Sequence, residues 1–80
     1  MNKDEIQKKV FNIFSVFLNI SELELDMNTN PENNSEWSSL NHIKIIMEIE
    51  NSFGVEIMPA EATEINSIKY ACDLLEKKLS

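Results

Sequence analysis

The chain has 80 residues, enough for one domain with one modest core, because small domains bury a smaller share of their chain surface than large ones do. Fourteen acidic against seven basic residues give a formal charge of −7, which repels nucleic-acid phosphates and anionic lipid headgroups and excludes both as expected partners. An apolar share of 42% suits a folded soluble domain, the one cysteine excludes an internal disulfide, and the lack of a leader pattern or a membrane-length apolar run predicts a cytoplasmic address without membrane insertion.

Ile6, Val10, Ile13, Phe14, Phe17 and Leu18 recur at three- and four-residue intervals, the spacing of one apolar helical stripe, and predict a helix from about Lys3 to Leu18 with Phe11 at the edge of the stripe. From Asn19 to Trp37 the pattern dissolves into Ser, Glu, Asn and Thr around Pro31, which predicts a long loop. Loops of that size are uncommon in small domains unless they are functional. Ile20, Leu23, Leu25, Met27 and Trp37 are the candidate anchors that pin it, and the stretch from Asn28 to Glu36 is expected to be its more mobile half.

Ser38 is placed to cap a second helix whose first residue is Ser39, since a serine oxygen there accepts from an otherwise unpaired amide of the first turn. Ile45, Ile46, Ile49 and Phe53 form the expected inward stripe of that helix, and Leu40, Ile43 and Met47 form a second apolar row that one core face does not need. Gly54 is positioned to end the helix in a left-handed conformation, and Val55-Glu56-Ile57 reads as a short extended link. A brief helix at about Ala60 to Ile65 follows. Ser67 then caps a last helix carrying Ile68, Ala71, Cys72 and Leu75 inward, with Lys77 and Lys78 at its negative end. Cys72 reads as a small core residue.

Few residues offer catalytic chemistry. Ser39 and His42 stand three apart on one helix, within reach of each other, but no neighbouring residue supplies an orienting group or an oxyanion site, so His42 is read as a solvated or partner-facing residue. Glu22, Glu24, Asp26, Glu61 and Glu64 do not form an oxygen cage for a metal, a chain with one glycine has no phosphate-binding glycine loop, and no Cys/His cluster exists for zinc.

The run Trp37-Ser38-Ser39-Leu40, the helix end Ile49-Glu50-Asn51-Ser52-Phe53-Gly54-Val55-Glu56-Ile57 and the segment Ile65-Asn66-Ser67-Ile68 together resemble the acyl and peptidyl carrier proteins over almost the whole chain. The resemblance implies an all-α four-helix bundle of three main helices, one short helix and a long first loop, spanning residues 1–80 as one acyl-carrier-like domain. It implies a non-catalytic, monomeric carrier with 4'-phosphopantetheine attached covalently to Ser39 and holding an acyl or aminoacyl group as a thioester. The partners it implies are a phosphopantetheinyl transferase and the loading and transfer enzymes, met through Leu40, Ile43, Lys44 and Met47.

Two features depart from that family. Ser38 stands where relatives carry Asp, and the exposed face of the second helix carries Asn41, His42, Lys44, Asn51 and Ser52 where fatty-acid-synthesis carriers are acidic. These departures point to a specialised lipid or secondary-metabolite pathway. They also admit an alternative, an unmodified carrier-like module that binds other proteins.

Overall fold

The computed structural model describes residues 1–80 and consists of four helices: α1 Lys3–Leu18, α2 Ser39–Phe53, α3 Pro59–Glu64 and α4 Ile68–Leu79. There is no strand, and the architecture is the expected all-α bundle. Each helix starts at a local chemical signal. Asn2 Oδ1 accepts from Glu5 N at 2.9 Å while the Glu5 carboxylate accepts from Asn2 N at 3.3 Å, a reciprocal cap that satisfies two orphan amides of α1. Ser38 Oγ accepts from Asn41 N at 3.2 Å and Ser67 Oγ accepts from Tyr70 N at 3.1 Å, so both expected serine caps are present.

The helix ends are equally explicit. Asn19 closes α1 at φ 56° and Gly54 closes α2 at φ 64°, both in the left-handed region, where Asn is tolerated and Gly carries no steric cost. Gly54 N and Val55 N both donate to Glu50 O, at 2.9 and 3.3 Å, which satisfies a carbonyl the helix end would leave unpaired.

Seventeen buried apolar residues form one cluster. Helix α1 packs on both α2 and α4 and contributes Ile6, Val10, Ile13, Phe14 and Leu18. Helix α2 supplies Ile45, Ile46, Ile49 and Phe53, and α4 supplies Ile68, Ala71, Cys72 and Leu75, the stripes expected for both. Phe11 and Phe17 are partly buried at the margin. The short helix begins at Pro59 and ends at Glu64, one residue earlier at each end than its expected span, because Pro59 takes the first helical position, where its missing N–H costs nothing. Ile65 lies beyond the helix and is buried as a plug.

The first loop carries more structure than its composition announces. Two short 3-10 turns, Glu22–Glu24 and Pro31–Asn33, interrupt it. Asn30 Oδ1 accepts from Glu32 N and Asn33 N, and the Asn33 side chain accepts in return from Asn30 N. Thr29, the one buried polar residue, accepts from Asp26 N through Oγ1. Loop carbonyls then serve α4: Thr29 O accepts from Ile68 N at 3.2 Å and Met27 O from Lys69 N at 2.9 Å, pairing amides that no helical carbonyl reaches.

Among the expected anchors, Leu25 and Trp37 are buried and Ile20 and Met27 partly so, but Leu23 is 96% exposed and anchors nothing. Ser21 Oγ accepts from Leu23 N and starts a 3-10 turn there, and that turn faces Leu25 inward while Leu23 faces out.

Candidate functional site

Ser39 is the first residue of α2 and is exposed. Because Ser38 supplies the capping oxygen, the Ser39 hydroxyl is not needed to start the helix. The first turn of α2 contains no acidic residue, so no carboxylate offsets the partial positive charge of this helix end. A phosphodiester on Ser39 Oγ would place its negative charge there, and the residues present therefore fit such a group.

Behind Ser39 stands an aromatic clamp. The Trp37 indole is buried and meets the Phe14 ring edge-on, with centroids 4.9 Å apart, an arrangement worth about 0.5–1.5 kcal/mol beyond the area it buries. Its Nε1–H donates to His42 Nδ1 at 2.9 Å, and His42 Nε2 lies 2.8 Å from Ala62 O on α3. His42 is thus a half-buried tie between loop, α2 and α3, and the expectation of a solvated histidine is corrected. The helical interval explains why: His42, Ile46, Ile49 and Phe53 continue one inward stripe, so the position faces the interior. Both ring nitrogens are engaged, and Ser39 and His42 do not form a nucleophilic pair.

Trp37, Ser38, Ser39, His42 and Ile43 share an open groove of about 410 Å³ with Pro31, Thr63, Ile65 and Asn66. Thr63 and Asn66 were not foreseen as part of this site. Thr63 lies on α3 and Asn66 just beyond it, and tertiary contacts such as that of His42 with Ala62 O, not a local sequence pattern, set α3 against α2.

Leu40, Ile43 and Met47 are 62%, 57% and 62% exposed, so the second apolar row of α2 lies on the surface, continuous with the serine end of the helix. Lys44 and Asn51 are exposed on the same helix. Its two carboxylates are engaged: Glu48 accepts from Ser52 Oγ at 2.7 Å, and Glu50 accepts from Ile57 N at 2.8 Å, pinning the link after the helix. No group of His, Cys, Asp or Glu side chains is arranged to hold a metal ion. No helix is long and apolar enough to cross a membrane.

Comparison with known proteins decides the family. The chain is 30% identical to an acyl carrier protein of Guillardia theta over 80 residues, covering all of this chain and 99% of the relative. It is 33% identical to one of Rubrobacter xylanophilus over 73 residues, 91% of this chain and 90% of the relative, and 31% identical to one of Petrotoga mobilis over 80 residues, all of this chain and 94% of the relative. The chain belongs to the acyl carrier protein family. No protein-family model matches it. Acyl carrier proteins hold acyl groups for biosynthetic enzymes and generally bear phosphopantetheine, and they catalyse nothing themselves; the role of this chain is that of a carrier.

Proposed function

We propose that residues 1–80 act as one acyl-carrier-like domain in which Ser39 bears 4'-phosphopantetheine and presents an acyl or aminoacyl cargo to the enzymes of a specialised pathway in the cytoplasm. One observation carries this reading: the exposed Ser39 hydroxyl stands at a helix start that Ser38 already caps and that no carboxylate neutralises. The arm supplies a terminal thiol that forms the thioester. The protein supplies the rest, namely a fixed helix start, an exposed hydroxyl, and the row Leu40, Ile43 and Met47 with Lys44 as the surface on which the transferase and the loading enzymes dock.

The specialised pathway is supported by the character of α2. Lys44 and Asn51 are exposed where a basic partner patch would seek carboxylates, and Glu48 and Glu50 are hydrogen-bonded within the protein. Electrostatic complementarity sets encounter rates and excludes wrong partners, so this face selects enzymes other than those that read a uniformly acidic helix. Intact mass after co-expression with a broad-specificity phosphopantetheinyl transferase tests the reading. A gain of one arm, abolished by Ser39→Ala, is the expected result, and an unchanged mass favours an unmodified protein-binding module.

A further inference from the structure

The two partners of His42 permit only one state of its ring. An indole N–H donates and never accepts, so Nδ1 must offer a lone pair; a carbonyl oxygen only accepts, so Nε2 must carry the proton. The rings of Trp37 and His42 are 19° from parallel, with centroids 6.1 Å apart, so the indole N–H approaches close to the imidazole plane, where the Nδ1 lone pair lies. Trp37 precedes Ser39 by two residues, His42 follows it by three, and Ala62 belongs to α3 on the far side of the groove. One imidazole therefore fixes the chain entering α2, the first turn of α2, and the segment facing it.

We propose that His42 is the positioning residue of the attachment site, a neutral imidazole that pins Trp37 and α3 to the start of α2, and that protonating it ejects the indole N–H and loosens the presentation of Ser39. This rests on the reading of Ser39 as the attachment site. Protonation puts a second N–H at Nδ1, facing the indole N–H, and two donors cannot share that bond, whereas the bond to Ala62 O survives. The change is thus directional: the loop side of the pin opens and the α3 side holds.

The charged side chains on the elements around the ring are Glu22, Glu24, Asp26, Glu32 and Glu36 of the loop, Lys44, Glu48 and Glu50 of α2, and Glu61 and Glu64 of α3. None of them lines the groove that contains His42. Glu32, Glu36, Lys44 and Glu64 are exposed, and Glu61 is paired with Lys78 of α4. No carboxylate in that groove is therefore placed to take over the new proton at Nδ1, and the indole N–H loses its acceptor outright.

Two substitutions separate the two bonds. Asn reproduces the reach of Nδ1 and keeps an acceptor for Trp37, while Gln reproduces the reach of Nε2 and keeps a donor for Ala62; neither titrates. The test records the imidazole nitrogen resonances and the indole N–H resonance of Trp37, the only tryptophan, in isotope-labelled full-length chain through an acid titration of wild type, His42→Asn and His42→Gln. In the same chains, the rate of arm transfer from coenzyme A by a broad-specificity transferase is measured at each pH and expressed as the ratio of wild type to His42→Asn, which cancels the pH response of the transferase itself. The expected results are the Nε2–H tautomer for the neutral ring, an indole signal that moves in step with ring protonation only in wild type, and a loading ratio that falls severalfold across that same step. An Nδ1–H ring, an indole signal indifferent to protonation, or a flat loading ratio overturns the proposal. If none of the three chains gains the arm, the Ser39 reading fails and the positioning role with it, while the resonances still decide whether the pin exists.

Discussion

Lys78 Nζ lies 2.9 Å from Glu61 Oε1, joining the last turn of α4 to the first turn of α3. The same Oε1 accepts from Met58 N at 2.9 Å, so one carboxylate oxygen both caps α3 and ties it to α4. With the His42 contact on its other side, this six-residue helix is held by α2 and α4 through polar bonds, since none of its own residues is fully buried.

Acid should loosen that tie. The hydrogen bond from Lys78, followed by that from Met58, holds the Glu61 carboxyl below its ordinary value of 4.5. A carboxyl with a depressed folded-state value stabilises the fold above its ordinary value, and the contribution disappears as pH falls through the depressed one. Urea midpoints of wild type and Glu61→Gln should therefore differ above that window and converge below it. Amide exchange in α3 should be faster in Glu61→Gln at neutral pH; equal exchange in the two chains would show that the pair does not hold the helix.

The two serines should separate cleanly. Ser38→Ala removes the cap and should cost on the order of 1 kcal/mol of stability while leaving the arm attachable. Ser39→Ala should leave the melting temperature nearly unchanged and abolish the mass gain. If the mass gain is lost in Ser38→Ala and kept in Ser39→Ala, the register of the attachment site is wrong.

Cys72 is fully buried, and desolvation, with the charges of Asp73 and Glu76 behind it, pushes its thiol up from 9.0 to about 11 against a small opposing effect of Lys3. Native protein should react slowly with thiol reagents and denatured protein quickly. A raised thiol value also ties stability to alkaline pH: the contribution is complete below the ordinary value of 9.0 and is lost as pH climbs toward about 11. Cys72→Ala should flatten the fall in stability across that interval, which a denaturation series at increasing pH would measure.

Much of this was legible in the residues alone, and the limits have physical causes. Helix α1 is legible because its apolar stripe repeats over four turns, and the structure places it at the expected Lys3–Leu18. The Ser38, Ser67 and Gly54 signals are likewise local, and local signals survive without tertiary knowledge. Leu23 departs from its expected anchoring role because a 3-10 turn changes facing within three residues, and no period is readable over so short a span. His42 is half-buried on the inward stripe of α2 and not solvated. A histidine on such a stripe declares itself only through its partners, and Ala62 is 20 residues away in the chain. The hydrogen bonds from Ile68 and Lys69 to loop carbonyls were invisible for the same reason.

Two neighbours on α2 test the division between surface and core. Ile43 is 57% exposed and Ile45 is fully buried. Ile43→Ser should leave stability within about 0.5 kcal/mol of wild type, whereas Ile45→Ala should cost about 2–5 kcal/mol through lost burial and the cavity left behind. Ile43→Ser should nevertheless slow loading by the transferase, because it removes the middle of the proposed docking row. A large loss of stability in Ile43→Ser would place that side chain in the core and remove it from the partner surface.

The charge pattern of α2 should determine which enzymes this carrier serves. Lys44 and Asn51 are exposed, so replacing both with Glu changes the surface without disturbing the core. Fatty-acid-synthesis enzymes that recognise an acidic carrier helix should encounter the Lys44→Glu, Asn51→Glu protein faster than wild type at low salt, by a severalfold change in association rate. Raising the ionic strength should erase the gain, because charges on an exposed face are screened beyond about 8–10 Å near physiological salt. The expected effect is a graded change in rate, since exposed charges contribute little individually. Stopped-flow association of the fully loaded carriers, at two salt concentrations, measures it directly. If wild type already associates with those enzymes as fast as a fatty-acid carrier does at low salt and equal loading, the face of α2 does not select a dedicated pathway, and the carrier role stands without it.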